Sequence, residues 1–182
     1  PAIYYDGSAD GHNAPAVSAM SGEYSTFNVS QMQGSLNRRV FSSIGNNALI
    51  GYWSGRSDVV YMNGTPNSLS GPAPGTSPHM YTYNRTSTGA FDFRVLGKQL
   101  RSGASSHAAA FRYGIANGGQ YSGEISRVYV PEVITYNNYL TPIEQQRIES
   151  YLALKYGMTL DQTTPQDYLA SDGITEIWNK DT

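Results

Sequence analysis

The 182-residue chain contains no cysteine. Disulfide staples, thiol catalysis and cysteine-ligated zinc are excluded at once, while an extracellular setting stays open. Charge is scarce as well. Asp, Glu, Lys and Arg make up 14% of the residues, against about 25% in an average globular domain. The three lysines, Lys98, Lys155 and Lys180, stand far apart and the net charge is −2. With no basic field to neutralise a phosphate backbone, nucleic acid is excluded as a partner. No apolar run approaches the roughly 18 residues of a membrane-spanning helix. Pro1 is not followed by a charged-then-apolar leader, so the chain is expected neither to span a membrane nor to carry its own signal peptide, and to be a module excised from a longer chain, monomeric within it. No period of about 20 to 50 residues repeats, which removes solenoids and propellers.

What is abundant is small and polar or aromatic: 21 Ser, 13 Thr, 12 Asn, 19 Gly and 15 Tyr. That usage favours strands and turns over helices, and the length predicts one domain with one core. Short apolar runs punctuated by Gly, Pro, Asn and Ser predict strands near Ala2–Tyr5, Tyr24–Val29, Arg39–Ser43, Leu49–Trp53, Asp58–Met62, Met80–Asn84, Phe91–Leu96, Ala108–Tyr113 and Gly123–Thr135. Phe91, Phe93 and Val95 alternate with Asp92 and Arg94, as in a half-buried antiparallel strand. So many strands predict two facing sheets. The segment Ser68–Pro78, with three prolines and two glycines, predicts an exposed connection.

One helix is expected, over Pro142–Tyr156. Thr141 stands at its N-cap, Pro142 at its first position and Glu144 at its third, which is a capping box; Gly157 supplies the left-handed stop. Ile148, Tyr151 and Leu152 recur at helical spacing and are expected to face the sandwich.

The run GEISRVYVPEVITYNNYLTPIEQQRIESYLALKYGMTL, followed by DYLASDGITEIW, resembles the end of bacterial laminin-G-like, concanavalin A-like domains of large secreted RTX-type adhesins. PAIYYDGSADG is similar to the first strand of that family, RRVFSSIGNNALIGYWSGRSDVVYMNG to its central hairpin, and FDFRVLGKQL to a strand with a short inverted turn. The resemblance implies an all-β jelly-roll sandwich of two antiparallel sheets with one C-terminal helix, over 1–160, followed by an extension toward a next module over 161–182. It also implies a bacterial cell-surface location and rim loops that bind glycan or short extracellular peptide, often with calcium.

The chemistry candidates follow from residue type. Glu124 and Glu132, eight residues apart on one expected strand, would lie about 26 Å from each other. A glycosidase needs its two carboxylates within about 10 Å. No Gly-x-Ser-x-Gly elbow occurs, and His12, His79 and His107 stand in loop-like sequence, too isolated for a zinc site. A non-catalytic role is therefore expected. Asp6 and Asp10, spaced by glycines, offer hard oxygen ligands to calcium; the same spacing also makes an Asx turn. Tyr52, Trp53, Arg56 and Asp58 crowd one hairpin tip with aromatic, cation and anion, the make-up of a recognition loop. Tyr113, Asn117, Gln120 and Tyr121 sit in a glycine-rich connection whose amides and hydroxyls suit sugar hydroxyls or peptide amides. These two loops are the expected ligand-binding rim. A spacer domain without ligand is the alternative.

Overall fold

In a computed structural model, the chain is described except at residues 9, 17–18, 35–37, 54–55, 64–76, 105–109, 117–120 and 182. Two antiparallel sheets face each other. The larger is built from β1 (Ile3–Asp6), β3 (Tyr24–Met32), β7 (His79–Arg85), β8 (Ala90–Val95), β9 (Lys98–Ala104) and β11 (Arg127–Tyr136), in the order β1-β11-β3-β7-β8-β9. The smaller contains β2 (His12–Asn13), β4 (Phe41–Ser43), β5 (Ala48–Trp53), β6 (Arg56–Met62) and β10 (Tyr113–Ile115), in the order β2-β10-β4-β5-β6. Strand alternation puts Tyr24, Met32, Tyr81, Tyr83, Phe91 and Phe93 of the larger sheet against Phe41, Ile50, Tyr52, Val60 and Met62 of the smaller. This is the main core.

The other face of the larger sheet is covered too. Phe27, Val29 and Met80 make a second apolar cluster with Leu140, Leu152, Ala153, Leu160 and Tyr168. The helix α1 runs over Pro142–Tyr156, bounded as the capping box and Gly157 dictate. The Thr141 side chain accepts from the Glu144 amide, Glu144 Oε2 accepts from the Thr141 amide at 2.8 Å, and Gly157 lies at φ 63°.

Its buried stripe departs from the expected one. Leu152 is fully buried and Ile148 partly so, but Tyr151 is 46% exposed. Gln145 and Glu149 are buried in its place, because positions 145, 149, 152 and 156 form the row that meets β3 and β7. Polar side-chain ends hid that row from an apolar pattern.

The expected strand ending at Tyr113 is instead β10, Tyr113–Ile115, with an isolated bridge between Met20 and Phe111; residues 105–109 and most of Ser68–Pro78 fall outside the described residues. Among the described residues, the longest strand not foreseen is β9. Leu96 and Gly97 both take positive φ, 50° and 79°, and close a two-residue hairpin in which Val95 pairs with Lys98. β1 pairs with β11 only from Ile3↔Val130 to Asp6↔Arg127. Beyond Val130 the outer side of β11 has no strand partner among the described residues, and a bulge follows at Pro131.

Residues 161–181 fold back on α1. β12 (Tyr168–Leu169) and β13 (Glu176–Trp178) pair as a ribbon, Leu169 N–H donates to Ser150 Oγ at 3.0 Å, and Gln146 Nε2 donates to the Asp167 carbonyl at 2.8 Å.

Candidate functional site

Antiparallel pairing brings part of the expected recognition set, Trp53, Arg56 and Tyr121, to one rim. β1 ends there at Asp6, opposite Arg127 at the start of β11, and Gln33 N–H, just past β3, donates to the Arg127 carbonyl at 2.8 Å. β5 ends there at Trp53, paired with Arg56 across the tip of its hairpin with β6. The segment before β11 reaches the same rim through a short 3-10 turn at Ser122–Glu124, held by Arg39 N–H donating to the Glu124 carbonyl at 3.0 Å.

At the centre stands Arg39, which the sequence reading did not single out. Its guanidinium carbon lies 5.2 Å from the Trp53 ring centroid and 4.5 Å from the Tyr121 ring centroid. Its Nε donates to Glu124 Oε2 in a salt bridge, and its carbonyl accepts from Ser126 Oγ. Arg39 is 5% exposed, whereas Tyr121 is 38% exposed and Trp53 partly so. The cation thus orients two rings that solvent still reaches. Its signal was faint: the pairing Phe41↔Ile50 carries Arg39 toward the end of β5, but only once that hairpin register is known.

The other expected ligand residues divide. Tyr52 and Tyr113 belong to the core, not to the rim surface. Tyr113 is 6% exposed, donates to Asn28 Oδ1 at 2.7 Å and bonds Thr26 Oγ1; Tyr52 is fully buried and packs edge-on against Tyr81. Burial raises the phenol pKa of both. They tie the two sheets together, because inward-pointing tyrosines can reach polar partners on the facing sheet. Asp58 is buried, with Oδ1 accepting from Arg56 Nε at 3.2 Å. Asn117 and Gln120 lie outside the described residues. Trp53 and Tyr121 are the pair brought together.

His79 opens β7 and His12 lies in β2, so neither is a loop histidine; His107 lies outside the described residues. His79 Nε2 is 2.9 Å from Ser57 Oγ and its Nδ1 is 2.7 Å from the Ser77 carbonyl. Ser57 is 4% exposed and burial lowers the His79 pKa. This pair sits between the sheets, joining β6 to β7.

Asp6 and Asp10 form the turn. Asp10 accepts the Asp6 amide at 2.7 Å and the Gly7 amide at 3.3 Å, and Asp6 Oδ1 accepts the Ser8 amide at 2.8 Å and the Ser8 hydroxyl at 2.5 Å. The Ser8 hydroxyl, first among these, lowers the Asp6 pKa. Calcium asks for six to eight oxygens. The carboxylates here serve their own loop, and among the described residues no three of His, Cys, Asp or Glu gather into a metal-sized group.

Glu124 and Glu132, tested above as a catalytic pair, are each engaged elsewhere. Glu124 holds Arg39, while Glu132 accepts from Lys155 Nζ at 2.9 Å and from the Tyr156 hydroxyl at 2.8 Å.

Comparison with known proteins adds the following. A family model described as a domain of unknown function (DUF8202) matches residues 144–182, that is, most of α1 and the ribbon that packs on it. The search of curated proteins gave no match. Among solved structures, a Trypanosoma rangeli sialidase in complex with sialic acid is similar over 87% of this chain and 28% of its own, at 14% identity and a TM-score of 0.61. The CBM40 of a Ruminococcus gnavus IT-sialidase, bound to α2,3-sialyllactose, is similar over 79% of this chain and 94% of its own, at 9% identity and a TM-score of 0.50. The chain thus spans little more than a quarter of the sialidase. At such identities the likeness is one of fold, and that fold is an antiparallel two-sheet sandwich with a single helix.

Proposed function

We propose that the chain is a non-catalytic glycan-binding module of a secreted, adhesin-type bacterial surface protein, and that the ligand stacks on the platform of Trp53, Arg39 and Tyr121. The observation that carries this reading is the placing of one buried guanidinium against two solvent-reached rings. A sugar ring presents a C–H face to an aromatic plane and hydroxyls to the polar groups around it. A peptide terminus instead asks for a free cation, and the Nε of Arg39 is already committed to Glu124. The sialic acid and sialyllactose ligands of the two neighbours support glycan over peptide.

The engagement of Glu124 by Arg39 and of Glu132 by Lys155 supports binding without reaction. The calcium implied by the family resemblance is kept out of this mechanism, because Asp6 and Asp10 hold their own turn.

The test is a glycan array and a peptide array, each probed with the domain and with Trp53→Ala and Tyr121→Ala. Each variant should keep the parent's melting midpoint and weaken capture by about 1 to 3 kcal/mol. Undiminished binding by both variants places the site elsewhere. Capture of peptides but no glycan restores the peptide reading, silence on both arrays favours a spacer, and release of reducing sugar makes the domain an enzyme.

A further inference from the structure

With its side chains a helix is about 10 Å across, and neighbouring strands lie about 4.8 Å apart. α1 accordingly covers β3 and β7, and residues 161–166 bond the turn end of the β8–β9 hairpin, which leaves the rest of that hairpin's outer face beside α1. There a cleft of about 330 Å³ opens, floored by Asp92, Arg94, Gln99 and Ser102 and walled by Tyr139 and Gln145. The pairings Asp92↔Ser102 and Arg94↔Gln99 set all four floor residues on one face.

Two of the residues lining this cleft each carry an acceptor without a partner among the described residues. Asp92 Oδ1 and Gln145 Oε1 are buried with no hydrogen bond, and Gln145 is 1% exposed. Their own side chains show why. Asp92 Oδ2 accepts a hydrogen bond from Arg94 Nε at 2.9 Å, which leaves Oδ1 over. Gln145 Nε2 donates to the Leu140 carbonyl at 2.9 Å, and this bond fixes the amide with Oε1 on the other side. Buried polar groups are ordinarily paired. Two orphan acceptors on one cleft call for two donors inside it.

We propose that this cleft is a second sugar site, which takes an uncharged hexose-sized ring whose adjacent hydroxyls donate to Asp92 Oδ1 and Gln145 Oε1. A hydroxyl both donates and accepts, so the same ring can take hydrogen bonds from Ser102 and Gln99, both exposed at the cleft floor. Tyr139, 37% exposed, stands at the mouth as an apolar face. An anionic ligand is disfavoured because Arg94 is already bonded to Asp92 and faces Glu149. The volume falls within the usual span of small-ligand sites, about 300 to 1,000 Å³. The site lies on the outer face of the larger sheet and stands independently of the rim platform.

The test is saturation-transfer NMR followed by titration of the intact chain with the methyl glycosides of glucose, galactose, mannose and N-acetylglucosamine. At least one should bind with a millimolar or tighter Kd. Ser102→Trp, which fills the cleft from an exposed strand position, and Gln99→Ala should each weaken that binding, the first by tenfold or more. Trp53→Ala should leave it unchanged, which separates this site from the rim. With the rim platform removed by Trp53→Ala, sugar binding that persists when Ser102→Trp is added, or no binding by any of the four sugars at tens of millimolar, overturns the proposal.

Discussion

Glu149 lies between α1 and β7 with no solvent exposure. Its Oε1 accepts from Thr82 Oγ1 at 2.7 Å, and Arg94 stands 3.7 Å from its Oε2. Desolvation outweighs both neighbours, and nearby Asp92 adds to it, so the carboxyl pKa is pushed up to about 7 from 4.5. A carboxyl with a raised folded pKa binds its proton more tightly in the folded chain than in the unfolded one. Its stabilisation is complete below the unfolded value and is lost as pH rises through about 7. Thermal melts from pH 5 to pH 8 should therefore show a falling midpoint, and Glu149→Gln should flatten the fall. A variant as pH-dependent as the parent would assign the titration to another group. Glu149 was not legible beforehand, since a charged residue in a helix is ordinarily read as solvated. Arg39 escaped for a different reason: its partners Trp53, Tyr121 and Glu124 are distant in sequence, and the register between strands decides that they meet.

The ends of α1 were legible because each is set by local chemistry: a hydroxyl before a proline, an acid at the third position and a glycine free to take positive φ. Its facing was legible only in part. Leu152→Ala should cost about 2 to 5 kcal/mol in denaturant unfolding, as a fully buried leucine does, whereas Ile143→Ala, at a position 46% exposed, should stay near the roughly 0.5 kcal/mol of surface sites. Equal losses at the two positions would refute the observed facing. The hairpin of β8 and β9 teaches the complementary point. Gly97 is a usual partner in a two-residue turn, but Leu96 at φ 50° is not, so the local pattern kept Leu96 in the strand, and only the family resemblance of FDFRVLGKQL implied a short inverted turn there. Leu96→Asn, which tolerates the left-handed region better, should leave the melting midpoint unchanged or raise it. A drop would show that the leucine contact with the cluster under α1 outweighs the backbone strain.

Two facing sheets with a helix packed on them were readable from many short strands and one capped amphipathic segment, but not which sheet α1 covers, nor the ribbon of β12 and β13 that joins it in a third layer. The inward row Thr26, Asn28 and Ser30 of β3 is polar, so alternation alone does not say which face of that strand is the outer one. The aromatic rows of β7 and β8 settle it. For the molecule as a whole, melting in excess calcium and in chelator should give the same midpoint, since a bound ion must stabilise the state that binds it. A clear rise with calcium would put an ion back on the Asp6–Asp10 turn. The short reach of β1 carries one more consequence. From Glu132 to Tyr136 the outer edge of β11 pairs with no strand among the described residues, and bare strand edges are where proteins stick to one another. The bulge at Pro131 and the ionic pair of Glu132 with Lys155 stand guard over that stretch. Because salt screens such a pair, the shelf life of concentrated solutions of this domain should depend on ionic strength, and light scattering should grow with time sooner where the Glu132–Lys155 charges are screened or removed.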